Sequence, residues 1–311
     1  MAILEVKGLE KQYGQVKAVN GIGFSVEKGE VFGLLGPNGA GKSTTISMIS
    51  TLLKPDQGEI LFDGQDVIKN PKHIQKRLGI VPQEIALYPT LSGLENLKFW
   101  GQAYGLRGSK LQERIQVVSE VIGIGDRLKD KVETYSGGMK RRLNIGAALL
   151  HEPELLIMDE PTVGIDPQSR NHILDTVKQL NEAGMTIIYT SHYMEEVEYL
   201  CDTIQIMDEG KVIAAGTQDQ LVDIIGGKRT ISVHFDGNPA PIQQTVAGLA
   251  AVESTRLEDQ GLIVESVNGK GLIKEILDLA LQADLNVENV EVTKPNLEAV
   301  FLHLTGKALR D

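Results

Sequence analysis

Up to about Ile225 the chain alternates short β-branched apolar runs with longer helical stretches, the pattern of strands and crossover helices in an α/β sheet. Val31-Phe32-Gly33-Leu34-Leu35, Glu154 to Met158 and Thr186 to Thr190 are nearly continuous in apolar residues, as strands buried on both faces must be. Ile3 to Leu9, Ile22 to Val26 and Glu59 to Asp63 alternate instead, which predicts an antiparallel subdomain with one solvated face. Between Leu91 and Gly123 the period becomes helical, with Leu94, Leu97, Phe99, Ile115, Val118 and Ile122 spaced as buried stripes, so a separate helical lobe is expected.

After Ile225 the texture changes, and Gly226-Gly227-Lys228 reads as a hinge. Strand-like Thr230 to Phe235 and Gly261 to Val267 flank a turn-rich interval. An amphipathic helix from Leu272 to Ala283, a strand from Val287 to Val292 and a closing helix after Pro295 follow. At 311 residues the chain exceeds most single domains. Two are therefore predicted: an α/β domain over 1–225 and a small α+β accessory domain over 226–311.

Composition narrows the class. Hydrophobic residues at 41% and charged residues at 23% are those of a folded globular protein, and aromatics at 5% leave the core to aliphatic side chains. A net charge of −11 argues against a surface built to neutralise a phosphate backbone, so no nucleic-acid partner is expected. Cys201 is the single cysteine, which excludes an intramolecular disulfide and reads as a small buried hydrophobe in a reducing compartment. The apolar runs fall far short of the about 20 residues a bilayer span requires. Met1 to Lys7 lacks the apolar core of a secretory signal, so the protein is expected on the side of the membrane where ATP is found.

The chemistry begins at Gly36-Pro37-Asn38-Gly39-Ala40-Gly41-Lys42-Ser43, which fits G-x-x-x-x-G-K-[ST] directly after a hydrophobic strand and before a helix predicted over Thr44 to Leu53. Glycines let successive backbone N–H groups converge on phosphates, the helix N-terminus adds partial positive charge, and Lys42 adds a full one. Ser43 offers a hydroxyl to Mg²⁺, and Thr44 joins the same nucleotide-binding set. Leu155 to Glu160 is a buried strand ending in two carboxylates, at the strand end where α/β proteins place ligands. Successive strand residues point opposite ways, so Asp159 is assigned to the Mg²⁺ shell and Glu160 to orienting and deprotonating the attacking water.

Tyr135-Ser136-Gly137-Gly138-Met139, followed by a helical stretch to Leu150, resembles the signature motif of ABC ATPases. The resemblance runs from about Ala2 to Ile225. It implies a P-loop NTPase fold of the ABC type: a mixed sheet core, an antiparallel β subdomain and a helical lobe. It also implies a head-to-tail dimer, homodimeric or built from paralogues, in which Ser136, Gly137 and Gly138 grip the ATP held by the other subunit. Met139 and Tyr135 replace the family's usual Gln and Leu, as they do in exporter-type members. Tyr13 looks like the adenine-stacking aromatic. Gln83 looks like the glutamine that reaches Mg²⁺ and the attacking water. Asp166, in Val-Gly-Ile-Asp rather than the usual Ser-Gly-Leu-Asp, resembles the loop that faces the opposing subunit. His192 resembles the switch histidine that contacts the γ-phosphate.

Tyr88 to Leu97 with Tyr104-Gly105-Leu106, and the ending Lys294 to Leu302 with Leu304-Thr305-Gly306, resemble the drug, antibiotic, sodium and polysaccharide exporter branch. The resemblance therefore implies an ATP-hydrolysing subunit at the cytoplasmic face of the membrane, powering a permease on a separate chain. Leu87, Tyr88 and Phe99 are candidates for a groove beside Gln83 that receives a helix of the permease; core packing accounts for each equally well. A soluble switch acting on ribosomes or nucleic acid is the alternative. The acidic charge and the C-terminal ending weigh against it.

Overall fold

The computed structural model describes residues 2–225, 229–258, 261–266, 271–293 and 296–306. Backbone contacts divide the chain into two compact units, the first ending at Thr217 and the second starting at Gln218. The sequence placed that division at 225/226; the intervening helix groups with the second unit, and Gly226-Gly227-Lys228 lies outside the described residues.

The first unit runs β1 (Ala2–Tyr13), β2 (Val16–Glu27), β3 (Val31–Leu35), α1 (Lys42–Ile49), β4 (Gln57–Phe62), β5 (Gln65–Asp66), α2 (Pro71–Gln75) and β6 (Leu78–Val81). It continues through α3 (Gly93–Ala103), α4 (Gly108–Val121), α5 (Gly137–Leu149), β7 (Leu155–Asp159), α6 (Pro167–Glu182), β8 (Thr186–Ser191), α7 (Met194–Leu200), β9 (Thr203–Asp208) and β10 (Lys211–Gly216). The central sheet has the order β10-β9-β3-β8-β7-β6, parallel throughout except for β10. A second sheet, β2-β1-β4-β5, is antiparallel.

The near-continuous apolar strands follow from two cores sharing one sheet. Leu155 and Ile157 of β7, with Ile188 of β8, join the core beneath the antiparallel sheet and α1. Leu156 and Met158, with Ile187 and Tyr189, join the core under the helical lobe. Alternation persists, but both faces are apolar. Each such side chain contributes about 1.5–3 kcal/mol by leaving water. Cys201 packs against the second of these cores; a Cβ on Gly33 would come within 2.8 Å of its sulfur, so the pair fits only with glycine. The lobe opens with a capping box: the Glu95 N–H donates to Ser92 Oγ (3.2 Å), and Glu95 accepts from the Ser92 N–H (2.8 Å).

The second unit comprises α8 (Gln218–Ile224), β11 (Arg229–Phe235), α9 (Ala240–Ala247), β12 (Val252–Glu258), β13 (Gly261–Ser266), α10 (Leu272–Gln282), β14 (Val287–Thr293) and α11 (Leu297–Thr305). From β11 onward it is a split β-α-β-β-α-β unit with antiparallel order β12-β13-β11-β14. Ile231, Val233 and Phe235 pack with Ile242, Val246, Ile276 and Ala280 of the helices. The interval read as turn-rich holds α9 and β12. Among the described residues, no helix is long and apolar enough to cross a membrane.

Candidate functional site

The loop between β3 and α1 is built around positions where only glycine fits. Gly41 caps α1 in the left-handed region (φ 103°), and a Cβ there would lie 2.3 Å from the Ala18 carbonyl oxygen. A Cβ on Gly36 would lie 2.3 Å from the Met207 carbonyl oxygen. Pro37 O accepts from the Ala40 N–H (3.1 Å), and Ala40 O accepts from the Gly210 N–H (3.1 Å), so the loop is closed on itself and tied to the β9–β10 turn. Asn38 and Gly39 are exposed at its crest, Ser43 is exposed on the first turn of α1, and Thr44 is partly buried beside it.

Lys42 turns back under the loop. It is 4% exposed, donates to Gly36 O (2.7 Å) and Pro37 O (3.2 Å), and stands 3.0 Å from Glu160 Oε1. On the far side of the same carboxylate, Oε2 accepts from Gln83 Nε2 (3.4 Å) and lies 3.3 Å from His192 Nδ1. That histidine nitrogen is buried and misaligned for a hydrogen bond to the carboxylate, so its capacity is unspent. Three residues, one from the start of α1 and one each from the loops after β6 and β8, thus converge on Glu160.

Glu160 itself departs from the strand. Its φ of +46° is left-handed, uncommon for a residue with a Cβ and most often tolerated where surroundings enforce it. The enforcement comes from Thr190: its hydroxyl accepts from the Glu160 N–H (2.9 Å) and donates to Asp159 Oδ1 (2.6 Å). One hydroxyl therefore ties the Glu160 backbone to the Asp159 carboxylate. The sequence reading used Thr190 only as the end of a strand; the signal was a hydroxyl directly across from the acidic pair.

Behind this lies Glu196, which is fully buried and was missed. It accepts from Thr162 Oγ1 (2.7 and 2.9 Å), Tyr189 Oη (2.8 Å) and Ser191 Oγ (3.0 Å), and pairs with Arg170 Nε at 2.7 Å. Burial, and then this carboxylate, push the Tyr189 phenol well above its ordinary range.

The signature residues form a separate group. Ser136 caps α5 by accepting from the Met139 N–H (3.2 Å), and Ser136 and Gly137 are exposed at the helix tip. A Cβ on Gly138 would sit 2.1 Å from Ser169 Oγ, so glycine lets α6 approach. Asp166 caps α6 by accepting from the Ser169 N–H (3.0 Å), and that bond holds its carboxyl below the usual range. Tyr13 stands apart, 51% exposed at the end of β1. Tyr88 and Phe99 are also exposed and meet edge to face at 4.8 Å between centroids. Leu87 packs against the lobe core.

The donor chemistry fits a magnesium nucleotide: a loop whose glycines let it curl tightly against the Ala18 and Met207 carbonyls, a buried cation, and hydroxyl, carboxylate and amide oxygens at Ser43, Asp159 and Gln83. A glycine-shaped loop ahead of a helix, with a buried lysine and a strand-end glutamate beside it, is chemistry suited to a nucleoside triphosphate. Fold and site are those of a P-loop ATPase.

Comparison with known proteins carries this further. Residues 19–163 match the ABC transporter family model. The chain is 52% identical to the linearmycin resistance ATP-binding protein LnrL of Bacillus subtilis, over 99% of this chain and 100% of that one. It is 38% identical to the daunorubicin resistance ATP-binding protein DrrA3 of Streptomyces coeruleorubidus, over 97% and 96%. The structure of CbiO1 from Clostridium perfringens, part of an ABC transporter complex, superposes with a TM-score of 0.66 at 31% identity, covering 71% of this chain and 90% of that one. The chain belongs to the ABC transporter family, as an ATP-binding subunit and an ATPase.

Proposed function

We propose that the protein is the ATPase of a membrane exporter, working as a head-to-tail pair at the cytoplasmic face beneath a permease carried on a separate chain. The observation that carries the chemistry is the convergence of Lys42, Gln83 and His192 on the single carboxylate of Glu160. The P-loop amides of 36–41 and Lys42 bind the phosphates, and Tyr13 offers a ring face to adenine. Ser43, Asp159 and Gln83 are the residues that would hold Mg²⁺, which supplies charge neutralisation at the phosphate oxygens. Glu160 orients the attacking water and accepts its proton at a carboxylate oxygen. His192, held beside Glu160 with its Nδ1 3.3 Å from the carboxylate, is placed to sense the terminal phosphate.

Within the pair, the exposed tip at Ser136 and Gly137, with Gly138 packed behind it, caps the nucleotide of the opposing protomer, and Asp166 faces the same seam. ATP binding then closes the pair and hydrolysis reopens it. Tyr88 and Phe99 present the apolar surface on which a permease helix docks. Two relatives named for antibiotic resistance, matched over nearly their whole length, support export over a soluble ribosome or nucleic-acid switch. The second unit, starting at Gln218, is read as an accessory domain that stabilises the pair.

Purification from native membranes tests this reading: a tagged chain is expected to bring down an integral membrane protein and show ATP turnover. Glu160→Gln is expected to keep that partner while turnover falls about 10³-fold. A chain recovered wholly in the soluble fraction with no membrane protein attached contradicts the exporter assignment. Unchanged turnover in Glu160→Gln removes Glu160 from the role of base.

A further inference from the structure

The second turn of α5 carries a buried cation that the chemistry above does not use. Arg141 is 3% exposed, and its two terminal nitrogens donate to Pro82 O (2.7 Å) and Gln83 O (2.6 Å). Its Nε has no hydrogen-bond partner among the described residues. Burial draws its pKa below the ordinary arginine range, with Tyr189 and Asp159 opposing only through longer-range attraction. A guanidinium taken out of water for two neutral carbonyls costs free energy that packing alone does not require, because an aliphatic side chain would fill the same space. What the guanidinium adds is a planar fork that fixes two consecutive carbonyls at once.

The two carbonyls are those of the Gln83 loop, and Gln83 Nε2 reaches Glu160 Oε2 at 3.4 Å. One turn further along α5, Asn144 Oδ1 accepts from the Ala86 N–H (3.2 Å), so the helix grips the same loop twice. At its N-terminus the same helix begins with the exposed Ser136 cap. Its opposite side is tied to the end of α4, where Arg142 donates to Ile122 O and Gly123 O, both at 3.2 Å. One helix therefore has its exposed Ser136 tip at one end and, in its middle, two side chains that hold the backbone of the Pro82–Ala86 loop.

We infer that Arg141 is a positioning residue that links the two nucleotide sites of the pair: nucleotide gripped at the Ser136 tip of a protomer moves α5, and Arg141 carries that movement to Gln83 and the hydrolytic glutamate of the protomer's own site. The inference rests on the paired arrangement proposed above. A side chain that merely filled space would influence stability and leave the dependence on ATP concentration untouched. The readout is accordingly the steady-state ATPase rate of the full chain against ATP concentration. The wild-type chain is expected to give a Hill coefficient near 2, the number of sites in the pair. Arg141→Met is expected to bring it near 1 and lower the maximal rate about tenfold, with ADP affinity by equilibrium dialysis unchanged within about twofold. Arg141→Lys, which reaches one carbonyl with a single ammonium, falls between. Thermal melting shows which variants are folded; if Arg141→Met is not, Arg141→Lys decides alone. A folded variant with the wild-type Hill coefficient overturns the link while leaving the pair intact. A wild-type chain with a Hill coefficient of 1 and no ATP-dependent dimer overturns the pair, and the link with it.

Discussion

Two residues carry most of the local argument, Lys42 and Thr190. Lys42 is buried against Glu160, so removing it takes away both the cation for the phosphates and the partner of a buried carboxylate. Lys42→Ala is expected to lose ATP protection against thermal unfolding, a gain of about 2.7 kcal/mol for the wild type at a hundredfold excess over its Kd. An unaltered ATP-induced rise in Tm would exclude Lys42 from phosphate binding. Thr190→Val keeps the shape of the side chain but leaves the Glu160 amide without its hydroxyl acceptor and Asp159 without its donor. Steady-state kinetics should show kcat falling about tenfold with KM for ATP little changed; a fall confined to KM would mean the hydroxyl serves binding instead. Lys42, Asp159 and Glu160 were legible in sequence because a linear motif and a strand end announce them. Thr190, Arg141 and Glu196 were not, because each acts through a partner at least five residues away and none belongs to a pattern that spacing reveals.

Helices and strands were readable where their apolar period was strong, as in β3, β7 and β8, and unreadable where burial was slight. β12 escaped because it is an edge strand whose Glu253, Ser254, Thr255 and Arg256 present little apolar surface, so its place is fixed by pairing with β13. α9 escaped because Pro239 and Pro241 resemble turn residues, although one caps the helix and the other lies in its first turn. At the junction of the lobe with the sheet, His151 follows α5, its Nε2 lies 3.0 Å from the Leu78 carbonyl oxygen, and its ring stacks on Tyr104 at 3.8 Å. Its Nδ1 is buried and unpartnered, so a second proton there has no acceptor. Burial accordingly lowers its pKa from the ordinary 6.5. The folded state resists a proton that the unfolded chain takes up below about pH 6.5, so stability is lost as pH falls from there toward the depressed folded value. Thermal melts at about pH 7.5 and pH 5.5 should show a smaller loss of Tm for His151→Phe than for the wild type. Equal losses would mean the buried ring does not govern this window.

For the molecule as a whole, the ATPase unit is written twice, once in motifs and once in the burial of its strands, and this redundancy is why its class could be read from residues alone. The second unit carries no ATPase motif, only the ending at 294–306 that resembles the exporter branch. Its α+β character follows from alternation, while the strand order β12-β13-β11-β14 emerges only from long-range pairing. The central claim is that ATP is held between the P-loop of one protomer and the Ser136 tip of another. Sedimentation of Glu160→Gln tests it most directly, because slowed hydrolysis preserves the ATP-bound state. With magnesium and ATP the predicted species has twice the 33.9 kDa chain mass, reverts to the single chain with ADP, and fails to form when Ser136→Arg is added. A Glu160→Gln chain saturated with ATP yet sedimenting at 33.9 kDa would contradict the account.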